Sequence, residues 1–420
     1  MSPRSVVGSP RSVVVVGAGM AGLATAWFLQ EAGVEVTVVD RRGVAAGASW
    51  GNAGWLSPAL TVPLPEPAAL KLGLRRLLSS SSPLYIPPRP DPRLARFLLA
   101  FTRNCTHRRW QVSMSALAAL NRSALSAYDE LERGGVAEPT RKDVACLIAF
   151  TTEAGRAPLV AELDAVRAAG QEVAYDLLGG SEARELEPAL STRVEAAVRL
   201  HGQRHLNPGA YVAALADAVR DRGGKIVTGM EVARVRDVGS GVVVLAADGT
   251  SVRADAAVLA SGAWLGPLAA PFGVRTPVQS GRGYSFTVPP EGLPTRPTYF
   301  AERRVVCTPL GDRVRVAGMM EFTAPDRPLD RRRVQAIVNA ARDLLPSADL
   351  TRRTDEWAGP RPCTADGLPL VGPTRSPRVH VCGGHGMWGI ALGPLSGRLL
   401  AESIVTGRGA PELAALHPLR

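Results

Sequence analysis

The first 40 residues alternate between short apolar runs and glycine-rich turns. The β-branched run Val13 to Val16 predicts a strand that is buried on both faces. Helix-forming residues continue from the glycines at 17–22 to Ala32, and a second apolar run at 36–39 closes on Asp40. The pattern therefore predicts a βαβ unit at the start of the chain.

After this unit the chain passes through helical sequence and then returns to strands. The predicted elements are a helical region at 93–134, strands at 144–150 and 197–200 with a helix at 152–169 between them, a helix that begins at Asn207 and Pro208, a hairpin that turns through Asp248 and Gly249, a buried strand at 256–260, mostly strand-like sequence at 276–320 and a helix at 330–345. We expect a discontinuous organisation, in which blocks of one α/β domain enclose a second lobe.

At 420 residues the chain is too long for one hydrophobic core, so two associated domains are expected. Its 46% hydrophobic and 21% charged residues, without an apolar run of about 18 residues, argue against disorder and against a membrane-spanning helix. The five cysteines form no CxxC pair, which predicts neither a disulfide framework nor a zinc site. Because the first apolar stretch already serves as a strand, we expect no signal peptide and a cytoplasmic protein.

The net charge of +11 comes almost entirely from arginine, a usage that a GC-rich genome explains as well as a binding surface does, and we predict no nucleic-acid partner. Residues 60–110 contain nine basic and two acidic residues. Within them, the stretch ALKLGLRRLL at 69–78 fits a peripheral contact with the inner face of the cell membrane, and equally a solvated helix face or loop.

Three glycines have GxGxxG spacing between the first strand and its helix. Gly17 permits the tight turn, Gly19 lets a pyrophosphate approach the backbone, and Gly22 allows helix and strand to pack closely. The phosphate rests on the helix N-terminus, and Asp40 lies where a carboxylate accepts hydrogen bonds from a ribose. These features together predict a bound dinucleotide rather than an empty βαβ crossover.

The residues after the second strand bear on which dinucleotide binds. Arg41 and Arg42 would suit the extra phosphate of NADP. The turn GASWGNAG at 47–54 offers further backbone donors, which suits a cofactor that lies extended across the domain. Since an NAD domain is expected to continue with an ordinary helix and a third strand instead, the sequence favours FAD.

The segment CGGHGMWGI at 382–390 lies between a predicted strand and a predicted helix. Its four glycines allow the backbone to approach a large planar ligand. Cys382 and His385 also raise the alternatives of a nucleophile pair or a metal site. No third ligand or orienting acid accompanies them, so we predict no metal site.

Six motifs are distributed along nearly the whole chain: GAGMAG (17–22), SWGNAGWLSP (49–58), RNC (103–105), RGYSFTV (282–288), GPRPCTADGLPLVG (359–372) and GGHGMWGIALGPLSGRLLAE (383–402). Through them the chain resembles the FAD-dependent D-amino-acid oxidase and dehydrogenase superfamily, with greatest similarity to bacterial D-amino-acid dehydrogenases and a more distant similarity to glycine oxidases. The motifs follow the family order and are specific for the superfamily, although not for a substrate.

The resemblance implies an α/β fold in which a Rossmann-like FAD-binding domain is interrupted by a substrate lobe of antiparallel sheet plus helices. The expected blocks are a first FAD-binding block at 1–60, mainly substrate lobe with a helical insertion at 61–205, a second FAD-binding block at 206–275, a second substrate-lobe block at 276–350 and a C-terminal FAD-binding block at 351–420.

The resemblance also implies that the turn at 383–389 meets the flavin ring and that the following helix directs its N-terminus at the pyrimidine edge. A helix N-terminus stabilises the negative charge of reduced flavin. The expected FAD contacts are Gly17, Gly19, Met20, Ala21, Gly22, Asp40, Arg41, Arg42, Ala48, Ser49, Asn52, Ala53, Gly54, Val232, Gly262, Gly384, His385, Gly386, Met387, Trp388, Gly389 and Ile390.

The activity implied by the resemblance is oxidation of a D-amino acid to an imino acid by hydride transfer from Cα to flavin N5, followed by hydrolysis to a keto acid and ammonia. The family places a carboxylate-binding arginine at Arg361, whose planar guanidinium matches a carboxylate. Tyr284 and Arg282 are further catalytic candidates, although a strand aromatic also fits the core. Some amine-oxidising relatives attach flavin covalently near the position of Cys363.

Other substrates and roles fit the same sequence. One alternative is oxidation of a secondary amine such as sarcosine, D-proline or D-hydroxyproline, and another is a biosynthetic tailoring amine oxidase. A flavin-binding protein without turnover belongs to a different class. The expected partners are a small amino-acid or amine substrate and an electron acceptor, either a quinone or oxygen.

Overall fold

The computed structural model describes residues 9–67, 82–88, 90–142 and 144–420. Its helices are α1 (Met20–Glu31), α2 (Pro92–Asn104), α3 (His107–Asn121), α4 (Ala124–Arg133), α5 (Glu153–Ala168), α6 (Gly180–Leu186), α7 (Pro208–Asp221), α8 (Leu265–Ala269), α9 (Arg331–Ala341) and α10 (Gly389–Thr406). The stretch 69–78, for which we predict a membrane contact or a solvated face, lies outside the described residues.

The strands fall into two large sheets and two small ones within these ranges. They are β1 (Ser12–Val16), β2 (Glu35–Asp40), β3 (Trp55–Leu56), β4 (Leu84–Tyr85), β5 (Cys146–Phe150), β6 (Tyr175–Gly179), β7 (Ala196–Leu200), β8 (Arg204–His205), β9 (Lys225–Thr228), β10 (Val232–Asp237), β11 (Val242–Ala246), β12 (Ser251–Ala254), β13 (Ala256–Leu259), β14 (Val278–Val288), β15 (Thr298–Phe300), β16 (Val305–Pro309), β17 (Val314–Phe322), β18 (Thr354–Thr364), β19 (Leu370–Pro373) and β20 (Val379–Gly383).

The first large sheet has six strands in the order β19-β20-β13-β1-β2-β9. All neighbouring pairs are parallel except β19 with β20. The β-branched run of β1 fits the centre of this sheet because Val13 to Val16 are buried, as a strand covered on both faces must be. The predicted βαβ unit is confirmed. The carboxyl ends of the parallel strands meet at one edge, where ligands bind in folds of this kind.

The second large sheet has nine strands, eight of them in the order β18-β14-β17-β16-β15-β5-β7-β6, with β4 beside β17. Helix α9 packs on β14 and β17. The strands predicted at 276–320 and the helix predicted at 330–345 are therefore confirmed. The hairpin through Asp248 belongs to a separate antiparallel sheet of β10, β11 and β12.

Strand β18 corrects one predicted boundary. The sequence-based division assigns everything after residue 351 to the FAD-binding domain, but Thr354–Thr364 pairs along its length with β14 of the nine-stranded sheet. Pro360 and Pro362 conceal this strand in the sequence. A sheet tolerates proline at its edge, and β18 is the edge strand.

The helical predictions agree with the structure. The region predicted at 93–134 forms α2, α3 and α4. Asn207 caps α7 as predicted, since its side chain accepts a hydrogen bond from the Ala210 N–H at 3.3 Å. Among the described residues, no helix combines the length and the apolar character needed to cross a membrane.

Candidate cofactor and substrate site

A groove of about 1450 Å³, counted to its open mouth, follows the carboxyl edge of the six-stranded sheet. It is the place that this topology offers to a dinucleotide. The predicted contacts that line it are Gly17, Gly19, Met20, Ala21, Asp40, Arg41, Arg42, Ala48, Ser49, Asn52, Val232, Gly262, His385, Gly386, Gly389 and Ile390. Arg361 lines it as well.

The first glycine turn is shaped by close backbone contacts. Gly17 has a φ of +119°, and a Cβ there would lie 2.4 Å from the Ala260 carbonyl oxygen. A Cβ on Gly22 would lie 1.9 Å from the Gly17 oxygen, which agrees with its predicted packing role. Gly19 instead faces the groove, with Ser49 Oγ 3.2 Å from its would-be Cβ. A side chain at Gly19 would fill space that the turn leaves open for a ligand.

Asp40 holds the backbone on both sides of the groove edge. Its Oδ2 accepts a hydrogen bond from the Ala18 N–H at 2.9 Å, and its Oδ1 accepts from the N–H groups of Arg42 at 2.8 Å and Gly43 at 2.9 Å. A carboxylate oxygen has two acceptor positions. Oδ2 therefore keeps one position for a ribose hydroxyl, whereas Oδ1 has none left.

The second glycine turn is tied to the nine-stranded sheet. The Ser285 hydroxyl donates to the Gly51 carbonyl at 2.8 Å, and the Arg315 guanidinium donates to the Trp50 carbonyl at 2.6 Å. The Trp357 ring occupies the space of a Cβ on Gly51, at 2.1 Å. The same turn thus lines the groove and joins the two sheets, a connection that its sequence does not reveal.

Asp326 closes a charged cluster at the groove mouth that the sequence did not predict. It forms an ion pair with Arg41, lies 3.6 Å from Arg42, and accepts a hydrogen bond from Trp264 Nε1 at 2.8 Å. The Arg41 guanidinium stacks 4.2 Å from the centre of the Trp264 ring. Glu231 lies 3.9 Å from Arg41, so two acids, Asp326 and Glu231, already offset the charge of this arginine pair and the cluster disfavours the NADP alternative.

The turn before α10 contains a neutral histidine. His385 Nε2 and Ser396 Oγ share a hydrogen bond of 2.9 Å, and burial lowers the pKa of His385 to about 4. Burial raises the pKa of the neighbouring Cys382 thiol to about 12 despite a hydrogen bond with Thr25. Because His385 pairs with Ser396 and Cys382 with Thr25, the structure does not support a Cys382 and His385 nucleophile pair, in which the imidazole would bond to the thiol. Within the described ranges, no group of three or more His, Cys, Asp or Glu side chains is placed to hold a metal ion.

Six predicted FAD contacts do not line the groove: Gly22, Ala53, Gly54, Gly384, Met387 and Trp388. Gly54 and Gly384 serve the turns themselves, with φ angles of +78° and +73°. The Trp388 indole donates to the Val62 carbonyl at 2.8 Å, and Met387 packs on an apolar cluster that contains Phe322. The sequence places all six near the cofactor, but the hydrogen bond of Trp388 and the packing of Met387 direct these two side chains away from the groove.

Arg361 presents a cation to the groove without an acidic partner. Its guanidinium donates to the Met319 carbonyl oxygen at 3.2 Å, and burial lowers its pKa. No ion pair found among the described residues includes it. A half-buried cation without a counterion favours an anion beside it, so this wall of the groove is suited to an anionic ligand.

Tyr284 and Arg282 lie on the other face of the sheet from Arg361. The Tyr284 hydroxyl donates to Glu321 at 2.6 Å in a fully buried position, and Arg282 donates to the Pro328 carbonyl at 3.0 Å. They alternate along β14 with Gly281 and Gly283, which face the groove side. The structure therefore does not support the catalytic roles that we predict for this pair.

Cys363 lies on the same face of β18 as Arg361 but does not line the groove. Its sulfur lies 2.9 Å from the would-be Cβ of Gly281, beside Met320 and Phe322. Burial is the main reason that the pKa of this thiol is raised to about 12. The residue is thus a packed thiol and not a nucleophile for covalent attachment of flavin.

Comparison with known proteins decides the family. Residues 12–403 match the family described as DAO, FAD dependent oxidoreductase. The chain belongs to this family. FAD is its cofactor, and the observed groove fits it, because the open face of Gly19, the free acceptor of Asp40 and the turn at 385–390 all face one space.

Relatives extend over nearly the whole chain. The chain is 34% identical over 422 residues to the D-amino acid dehydrogenase of Methylobacterium nodulans, with 96% of each chain covered. It is 30% identical over 411 residues to the D-amino acid dehydrogenase of Rhizorhabdus wittichii, with 96% of this chain and 98% of the relative covered. Among solved structures, the glycine oxidase of Geobacillus kaustophilus is 26% identical, covers 99% of both chains and has a TM-score of 0.72.

Proposed function

We propose that this protein oxidises a D-amino acid to an imino acid, which water then converts to a keto acid and ammonia. The full-length similarity to proteins named D-amino acid dehydrogenase supports the substrate class. The observation that carries the proposal is the guanidinium of Arg361, half-buried in the groove wall and without an acidic partner among the described residues. When bound, FAD supplies a hydride acceptor that takes two electrons from the substrate.

We assign the groove residues to successive parts of FAD. The N–H groups of Gly19 and Ala21 at the start of α1 would hold the pyrophosphate, since a helix N-terminus binds anions, while the Met20 N–H donates to Ser49 Oγ at 3.2 Å. The free position on Asp40 Oδ2 would accept a ribose hydroxyl. The turn at 385–390 would meet the flavin ring, where the N-terminus of α10 favours negative charge.

Arg361 would bind the substrate carboxylate. A guanidinium and a carboxylate form two parallel hydrogen bonds, which fix orientation as well as position. The proposed hydride transfer needs no protein nucleophile, and burial keeps the Cys363 and Cys382 thiols protonated. The contribution of the chain is to hold the substrate Cα–H in one orientation and to keep His385 neutral beside the cofactor site.

The secondary-amine alternative predicts different products. A primary D-amino acid yields one ammonia per turnover, whereas a cyclic substrate such as D-proline yields none. Anaerobic mixing of the yellow protein with a panel of D-, L- and N-alkyl amino acids tests the proposal, with ammonia assayed after turnover. Bleaching by D-amino acids with release of ammonia is expected; bleaching by N-alkyl or cyclic amines alone would contradict it.

We propose a quinone or oxygen as the electron acceptor. The same reduced protein answers this question, because re-oxidation by air and by a soluble quinone can be timed separately. Rapid re-oxidation by quinone together with slow re-oxidation by air would indicate a dehydrogenase.

A further inference from the structure

The guanidinium of Arg361 is held by a residue with an unusual backbone. Its partner, the Met319 carbonyl, belongs to a methionine in β17 with a φ of +59°. This left-handed region is uncommon for residues other than glycine, asparagine and aspartate. Strained backbone of this kind persists where its surroundings over-determine it, and it is concentrated at functional sites.

A bulge in strand pairing produces the conformation. Along β14 and β17, Arg282 pairs with Glu321 and Tyr284 pairs with Gly318. Two residues of β17, Met319 and Met320, therefore lie opposite the single residue Gly283. The extra residue breaks the ladder locally and redirects the peptide groups around it.

The peptide between Met319 and Met320 is fixed from two directions. The Met320 N–H donates to the Pro83 carbonyl at 2.6 Å. In a trans peptide the N–H and the C=O point in opposite directions, so this bond directs the Met319 carbonyl away from Pro83 and onto Arg361.

Arg333 fixes the same strand from the far side of the sheet. Its guanidinium donates to the carbonyls of Met320 at 3.1 Å and Ser82 at 2.8 Å. Strand β17 is thus linked to Ser82 and Pro83, the residues just before β4, both directly and through Arg333. Neither Arg333 nor the Met319 side chain lines the groove, since Met319 packs in the apolar cluster with Tyr284 and Ile337.

We propose that the bulge at Met319 and Met320 is a positioning element, which aims the Arg361 guanidinium into the groove before the substrate arrives. The inference rests on the proposed carboxylate-binding role of Arg361. Pre-organisation of this kind raises affinity, because the side chain loses less freedom when the ligand binds. Met319 acts through its backbone carbonyl and touches no substrate.

Two isomeric replacements of Met319 test this element. Leucine and isoleucine are isomers, and both suit the position of Met319, which is 5% exposed. Branching at Cβ makes the left-handed conformation far more costly for isoleucine than for leucine. The FAD-loaded variants Met319→Ile and Met319→Leu are titrated with propionate, a carboxylate without an amine, and flavin absorbance is followed. We expect a Kd about tenfold higher for the isoleucine variant, as for one lost hydrogen bond to a charged group, with equal FAD content in both.

The same titration in an Arg361→Lys background shows whether the effect passes through Arg361. In that background the propionate Kd of the isoleucine variant divided by that of the leucine variant should fall to about one, because the effects of coupled residues are not additive. A Kd ratio near one in the protein that keeps Arg361 overturns the inference. A Kd ratio that is the same with Arg361 and with Arg361→Lys overturns it as well. A wild-type protein that does not bind propionate, or binds it independently of Arg361, contradicts the proposed function instead.

A glycine variant tests the inference even if the Met319→Ile protein does not fold. Met319→Gly adopts a positive φ without strain but leaves a cavity. We expect a lower unfolding temperature than for Met319→Leu, and a propionate Kd within about twofold of the leucine variant, because the carbonyl direction is kept. A Kd about tenfold above that of the leucine variant would show that the side chain, and not the carbonyl, sets the affinity.

Discussion

The Arg361 guanidinium lies directly over the α-carbon of Gly283. A Cβ at residue 283 would be 2.1 Å from Arg361 Nη2 and 2.2 Å from its Cζ. The two residues belong to neighbouring strands, in which Gly281 pairs with Arg361 and Gly283 with Gly359. Glycine at 283 therefore leaves the space in which the proposed substrate-binding cation lies.

Gly283→Ala is expected to displace Arg361 without breaking the strand. No positive φ is found at Gly283, so alanine fits its backbone, but its methyl group would occupy the place of the guanidinium. A displacement of about 1 Å at a positioning group lowers activity by about a hundredfold. We expect that loss in kcat/KM for the best D-amino acid. Gly266→Ala is the matched control, since a Cβ there meets nothing within 4 Å.

Removing the guanidinium itself should weaken carboxylate binding. Arg361→Ala is expected to lose about 1.5–3 kcal/mol of charge-assisted hydrogen bonding, or about 10- to 150-fold in kcat/KM. Arg361→Lys should recover only part of this loss, since an ammonium offers no fork to a carboxylate. Steady-state kinetics on both variants measure the effect. Full activity in the lysine variant would mean that charge alone suffices.

The cluster at the groove mouth should hold FAD in a salt-dependent manner. Burial raises the pKa of Asp326, but hydrogen bonds from Trp264 and Arg41 outweigh it and the pKa is lowered. Asp326→Asn removes an acid that offsets Arg41 and Arg42, so the groove mouth becomes more positive and we expect the anionic FAD to bind about two- to fivefold more tightly at low salt and with greater dependence on salt. FAD fluorescence during dilution measures its release. Asp312→Asn, at an exposed position, is the control; equal salt dependence in both variants would argue against the cluster.

Buried histidines should make the protein sensitive to acid. Burial lowers the pKa of His205, His380 and His385 from 6.5 to about 4. The unfolded chain binds these protons at a higher pH than the folded protein does. The contribution of each histidine to the free energy of unfolding is therefore fully present above about pH 6.5 and falls by about 1.4 kcal/mol per pH unit as the pH drops towards 4.

The unfolding temperature between those two pH values measures this dependence. His205→Gln removes one buried titrating group outside the groove and should flatten the slope. An unchanged slope in the His205 variant would show that this imidazole is not held neutral in the folded protein.

Local patterns were sufficient to predict much of the fold. The βαβ unit, the cap at Asn207 and the separate roles of Gly17 and Gly22 all depend on neighbours close in sequence or on a repeated motif. The resemblance placed Arg361, which the structure brings to the groove. These features follow from rules of periodicity, capping and glycine geometry.

Contacts between distant strands could not be predicted in the same way. The face of β14 that carries Tyr284, the partner of Arg41 and the space above Gly283 all depend on register between strands that are far apart in sequence. A shift of one residue in a strand reverses its faces, and nothing local to RGYS sets that register. Likewise, the Met319 bulge is invisible until β14 and β17 are paired.

Anaerobic reduction of the flavin by the two enantiomers of alanine tests the central claim most directly. The FAD-loaded wild type and its Arg361→Ala variant are each mixed rapidly with D-alanine or L-alanine, and loss of the yellow absorbance is timed. We predict that D-alanine bleaches the wild type far faster than L-alanine and that the Arg361 variant needs at least about tenfold more D-alanine. Equal rates of bleaching by the two enantiomers, or the same dependence of the rate on D-alanine concentration in both proteins, would contradict the account.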